Sequence, residues 1–131
     1  MIGIDTSVVV RYLVGTPVEQ AVRATRAIDG DQELGLSILV IVEAAHVLRA
    51  RYGLSRPDVV EVLLEFVTRE NVRTLEIPKA DVIDALVRAR AFISSPIPDA
   101  LISASTRAFA AVPVFTFDEK FGRLGAPVAT P

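Results

Sequence analysis

Four carboxylates, Asp5, Glu43, Asp99 and Asp118, have the types and positions from which chemistry could be built. Asp5 directly follows the apolar opening Ile2-Gly3-Ile4, and Asp118 directly follows the apolar run 112–117. If both runs are strands, both acids stand at carboxyl ends of strands, where α/β sheets gather ligands. Each also has a plainer role, because Asp is a favoured helix N-cap. Glu43 lies within Ile38-Leu39-Val40-Ile41-Val42-Glu43-Ala44-Ala45-His46-Val47-Leu48. A helix so apolar on nearly all sides is expected to be buried. A carboxylate inside it needs a partner, since an unpaired buried charge costs several kcal/mol. That partner is either an arginine or a metal ion. Asp99 follows Pro98 and opens Ala100-Leu101-Ile102. It is either a first-turn acid favoured by the helix dipole or a ligand at the mouth of a buried helix.

Four carboxylates converging on one pocket would repel and raise one another's pKa unless a cation were present. Oxygen donors of this kind suit Mg²⁺ or Mn²⁺. A single histidine, His46, and no cysteine leave little from which to build a zinc site. The lack of cysteine also excludes disulfides and Cys nucleophiles and permits a reducing cytoplasm, the expected location.

The elements that must position these acids alternate along the chain. A strand at Ile2–Ile4 leads to a helix at Thr6–Val14, stopped by Gly15-Thr16-Pro17, and to a second helix from Pro17 to about Ile28. Leu34–Leu36 reads as a strand. Ser37 caps a long helix over 38–52, closed by Gly53, and Ser55 caps the next, with Pro57 and Asp58 in its first turn. A strand over 72–77, a helix over 80–92 and a loop at 94–98 follow. A helix over 99–110 and a buried-type strand over 112–117 come next, then a turn near Lys120 and a last strand at Val128. Strands alternating with helices at this spacing predict an α/β fold, an α/β/α sandwich with a mostly parallel central sheet.

With 131 residues, 51% hydrophobic and 23% charged, the chain is expected to form a single folded domain over 1–131. No apolar stretch reaches the ~18 residues of a membrane span, and the opening lacks the basic n-region of a secretory signal. The net charge of −2 gives no global support for nucleic-acid binding, although a local basic patch would suffice. All basic residues except Lys79 and Lys120 are arginines, which suit bidentate phosphate contacts but also follow from GC-rich coding. Arg11, Arg49, Arg51 and Arg107 are either phosphate contacts or surface charges and ion pairs.

Taken in order, the motifs resemble one family. Ile-Asp-Thr-Ser-Val-Val-Val-Arg-Tyr-Leu at 4–13 resembles the opening of VapC-like PIN-domain toxins, and Glu43 matches the glutamate of their central helix. Pro-Asp-Ala-Leu-Ile-Ser-Ala at 98–104 and Val-Phe-Thr-Phe-Asp-Glu-Lys-Phe at 114–121 resemble their third and fourth acidic motifs. The stretch 51–56 resembles the link after the second. Ser7 stands where Asn is common, Pro98 where a small residue is usual, and His46 where an aromatic is frequent; none of these removes a carboxylate.

The resemblance implies a PIN-like fold and a Mg²⁺- or Mn²⁺-dependent endoribonuclease, the toxin of a type II toxin–antitoxin pair. Asp5, Asp99, Asp118 and Glu43 would be its metal and catalytic residues. It implies three partners: RNA as substrate, a cognate antitoxin, and a second copy in a homodimer. Thr6, Ser7 and Thr116 would be hydrogen-bond partners of the ligands or simple capping hydroxyls, and His46 a packing or dimer-interface residue. A PIN fold without activity, binding RNA or protein, is the alternative. A haloacid-dehalogenase-type phosphatase would need an acid at Ser7, and a receiver domain an acid where Ser37 follows the strand at Leu36.

Overall fold

The computed structural model describes residues 1–131. The chain falls into two compact units, Met1–Glu76 and Ile77–Pro131.

The first unit carries three parallel strands, β1 (Ile2–Ile4), β2 (Leu34–Leu36) and β3 (Val72–Thr74), in the order β1-β2-β3. Their register pairs Ile2 with Leu34 and Leu34 with Val72. Parallel neighbours cannot be joined by a hairpin, so helices supply the crossovers. Helices α1 (Thr6–Val14) and α2 (Val18–Ile28) link β1 to β2; α3 (Ile38–Ala50) and α4 (Arg56–Val67) link β2 to β3. Local chemistry fixes the helix starts. Asp5, Ser37 and Ser55 each accept a backbone N–H of the first turn, from Val8, Leu39 and Asp58. Gly15 closes α1 at φ 80°, a left-handed backbone that favours glycine. Helix α1 packs on α2 and α3, and α3 on α4. Val9, Val10, Ile28, Leu36, Leu48 and Phe66 are among the side chains that this packing buries.

The second unit contains α5 (Lys79–Ala91), α6 (Ile97–Ala108), β4 (Val114–Phe115), a 3₁₀ turn (Phe121–Leu124) and β5 (Val128–Ala129). Helices α5 and α6 pack together, and β4 pairs with β5 in parallel. Asp84 ties the pair of helices by bonds of 2.9 Å to Arg88 and 2.9 Å to Arg107. The buried Ser103 Oγ accepts the Ala126 N–H at 3.0 Å, anchoring the segment before β5.

The α/β class and the parallel pairing are as expected, while several boundaries differ for local reasons. Strand β3 ends at Thr74; the Leu75 N–H still reaches the Leu36 carbonyl at 3.1 Å, but the Glu76 side chain turns to accept the Ile38 N–H. Helix α3 stops at Ala50, and α6 begins at Ile97 with Pro98 inside its first turn, where a missing N–H costs nothing. The expected buried strand over 112–117 is corrected to the two residues Val114–Phe115, with Phe115 70% and Phe117 86% exposed. Pro113 has no N–H to start the ladder earlier. Beyond Phe115, the Thr116 N–H still donates to the Ala129 carbonyl at 3.1 Å, while its Oγ1 accepts the Asp118 N–H and so opens the turn that presents Asp118.

Candidate active site

Asp5 stands one residue past β1 with extended backbone, φ −101° and ψ 177°, and is exposed. Its Oδ1 accepts Ser7 Oγ–H at 2.7 Å and the Val8 N–H at 3.3 Å. The Ser7 hydroxyl, then the Val8 amide, hold this carboxyl below its usual range. The capping role and a carboxylate kept ionised are therefore realised together. Ser7 is the hydroxyl that orients Asp5.

Asp118 follows the β4 segment as expected. The Thr116 Oγ1 accepts the Asp118 N–H at 3.0 Å, and Asp118 Oδ1 accepts the Lys120 N–H at 2.9 Å. Both bonds are turn geometry, and they fix the direction in which the exposed carboxylate leaves the chain. Asp99 lies half-buried in the first turn of α6. Burial, then the negative charge of Asp118, push its carboxyl above the usual range. A helix N-terminus alone would favour the ionised form. The upward shift therefore reflects burial first, with the charge of Asp118 adding to it. Asp99 and Asp118 are the two predicted acids that the second unit brings together.

Glu43 corrects an expectation. Only the stripe Ile41, Ala44, Ala45 and Leu48 of α3 is buried, and Glu43 is exposed. The apolar character of the helix misled because its outer face is apolar as well: Leu39 is 74% exposed. Glu43 thus needs no buried counter-charge and is free to meet a ligand. His46, one turn on, is also exposed and does not pack in the core.

The arginines sort clearly. Arg107 is structural, paired with Asp84. Burial pushes Asp84 up, but the bonds and charges of Arg88 and Arg107 outweigh this and leave it below its usual range. Arg49 and Arg51 are exposed. Arg56 is lowered by burial and then by the charge of Arg49. Arg11 is held by neutral partners, Gln20 at 2.7 Å and Tyr52 at 3.4 Å. The sequence offered no sign of these two partners, which lie 9 and 41 positions away.

As the side chains stand, no three His, Asp or Glu residues are grouped to hold a metal ion. Of the four expected acids, Asp99 and Asp118 belong to the second unit and Asp5 and Glu43 to the first. The donor chemistry nevertheless fits a hard divalent cation: all four groups offer carboxylate oxygen.

A profile of the PIN domain matches residues 2–127, unbroken across both compact units. The chain belongs to the PIN-domain family. PIN domains are a nuclease-type fold, generally metal-dependent ribonucleases that use divalent ions. No curated protein and no solved structure gives a significant match to the chain. In this PIN domain the expected α/β architecture with parallel strands is present. No helix is long and apolar enough to cross a membrane.

Proposed function

We propose that this PIN domain is a Mg²⁺- or Mn²⁺-dependent endoribonuclease, acting in the cytoplasm as the toxin of a type II toxin–antitoxin system. Its two compact units would form one functional domain. Asp5, Glu43, Asp99 and Asp118 would supply the carboxylates. The observation that carries the reading is the match to the nuclease-type PIN family over residues 2–127, with Asp99 half-buried at the start of α6 and raised first by burial and then by the charge of Asp118.

Asp5, Asp99 and Asp118 would hold the ion, and Glu43 would hold a second one or orient the attacking water. When bound, the ion supplies Lewis acidity and lowers the pKa of water. The chain's own residues set the rest. Ser7 fixes the rotamer of Asp5 and keeps it ionised. Thr116 shapes the turn that presents Asp118. Because the Asp99 carboxyl is raised, first by burial and then by Asp118, activity is expected to fall as pH drops and Asp99 takes up a proton. In-line attack of water on a phosphodiester would leave a 5′-phosphate and a 3′-hydroxyl.

An antitoxin arginine paired bidentately with two of these carboxylates would compete with the ion. The exposed apolar side chains Leu39, Phe109, Phe115 and Phe117, with a mean hydropathy of +0.45, support a partner surface and a homodimer. Expression of the chain alone and with the adjacent small open reading frame tests the toxin reading. Growth arrest relieved by the neighbour supports it, and harmless expression alone contradicts it.

The alternative is a silent PIN fold that binds RNA or protein. Calorimetric titration with Mn²⁺ separates the two, since a silent fold would show no stoichiometric binding dependent on Asp99.

A further inference from the structure

A cavity of about 420 Å³ opens between α1 and α2 in the first unit. Arg11 and Arg23 line it together with Ser7, Gln20, Val8 and Ala27, and no carboxylate does. Neither arginine is ion-paired. Arg11 donates only to the neutral oxygens of Gln20 and Tyr52, at 2.7 and 3.4 Å. Arg23 is exposed on α2. Arg69 and Arg73 of the same unit, by contrast, meet Asp29 and Glu33. Two uncompensated guanidinium groups facing one cavity in a chain of net charge −2 form a local anion site. The wall also touches the chemistry: Ser7, which lines the cavity, donates to Asp5 at 2.7 Å.

We propose that this cavity is an RNA subsite, in which Arg11 and Arg23 each bind one of two adjacent backbone phosphates flanking the scissile one. The proposal rests on the ribonuclease reading and adds to it where the strand runs beside Asp5. Gln20 and Tyr52 pre-orient Arg11 without neutralising it, so little ordering is required when a phosphate arrives. The small side chains Ala24 and Ala27 keep the cavity open, and with Val8 they offer an apolar wall to the adjoining sugar. Sequence gave Arg11 as one of four candidates; Arg23 joins it through the packing of α1 on α2.

The test is binding of a short fluorescent single-stranded RNA in EDTA, where no cleavage occurs, over a range of KCl concentrations. Each phosphate contact to a single strand contributes about 0.7 to the slope of log affinity against log salt. Arg23→Gln is expected to lower that slope by about 0.7. It removes an exposed side chain with no partner to lose, so the fold is untouched. Ala27→Phe fills the cavity and should weaken binding with the slope unchanged. Arg73→Gln, which only breaks the surface pair with Glu33, should match wild type. An Arg23→Gln slope equal to wild type, or an equal loss in Arg73→Gln, overturns the subsite. So does an Arg23→Gln variant that binds RNA normally but no longer binds the neighbouring antitoxin. Cleavage by wild type in Mg²⁺ is scored separately. Cleavage with an unaltered Arg23→Gln slope removes the subsite alone. An arginine-dependent slope without cleavage in Mg²⁺ or Mn²⁺ keeps the subsite and removes the nuclease reading.

Discussion

Asp99→Asn isolates the charge of an acid raised by burial and then by its neighbour Asp118. The substitution keeps the shape of the side chain in the first turn of α6 and leaves the buried Ala100 and Leu101 in place. It forfeits the attraction of a carboxylate to the helix N-terminus, about 0.3–1 kcal/mol. It gains relief from burial of a charge and from repulsion by Asp118. These effects oppose, so metal-free stability at neutral pH should lie within about 1 kcal/mol of wild type, a shift of a few degrees in Tm. The sign of the pH dependence is fixed. Asp99 has a folded pKa above its ordinary 3.8, so the folded state retains a proton that the unfolded state releases. Wild-type stability from this group is therefore full below the ordinary value and lost as pH rises through the folded one. Asp99→Asn removes that loss, so its Tm relative to wild type should climb with pH. Ligand at a hundred times its Kd adds about 2.7 kcal/mol, a gain that Mg²⁺ should give wild type and not the variant. Cleavage should fall about a thousandfold or more, the equivalent of several kcal/mol of electrostatic stabilisation. Thermal melts from pH 3 to 8, with and without Mg²⁺, read all of this. A metal-free loss above about 3 kcal/mol at neutral pH, or an unchanged Mg²⁺ shift, would refute the reasoning.

Asp5 can be split into its two roles. Asp5→Ala should cost about 0.5–2 kcal/mol as a lost N-cap while Asp5→Asn costs a few tenths, yet both should lose cleavage; urea melts and an RNA assay distinguish them. Because Asp5 is held below its usual range, its contribution is present above the ordinary carboxyl pKa and lost as pH falls through the folded one, a loss absent from the acid limb of Asp5→Asn. Leu48→Ala on the buried stripe of α3, where Leu48 is 0% exposed, should cost about 2–5 kcal/mol in denaturant melts. Gly125→Ala should also destabilise. The backbone there has φ +116°, and an added Cβ would meet Arg107 at 2.6 Å and Arg88 at 3.0 Å. About 1–3 kcal/mol is expected, with the Asp84 network disturbed, readable as a lower Tm.

What was legible in the sequence was local. Ser37 and Ser55 cap their helices as read, because an N-cap depends only on the next three residues. Thr6–Val14 and Leu34–Leu36 appear with the expected bounds. Strand ends were harder, since they depend on a partner's reach: β4 lasts only as long as β5 pairs with it. The exposure of Glu43 was hidden by Leu39, Val40 and Val42, apolar residues that lie outside the fully buried stripe of α3. The Asp99–Asp118 pairing joins a helix start to a turn 19 positions later, and Arg23 meets Arg11 only through helix packing. The acids themselves were visible because each ends or opens an apolar run. The state of Asp99 was not, because its burial and the charge of Asp118 come from parts of the chain distant in sequence, whereas that of Asp5 arises from the nearby Ser7 and Val8.

The central claim is a carboxylate-dependent, metal-dependent cleavage of RNA. Its most direct test incubates purified chain with total RNA in EDTA, Mg²⁺ or Mn²⁺, alongside Asp99→Asn and Asp118→Asn, and maps the new ends by sequencing. The account predicts discrete fragments bearing 5′-phosphates that appear only with metal and vanish in both variants. Fragments that persist in EDTA or in either variant, or that carry 5′-hydroxyl ends, would contradict it.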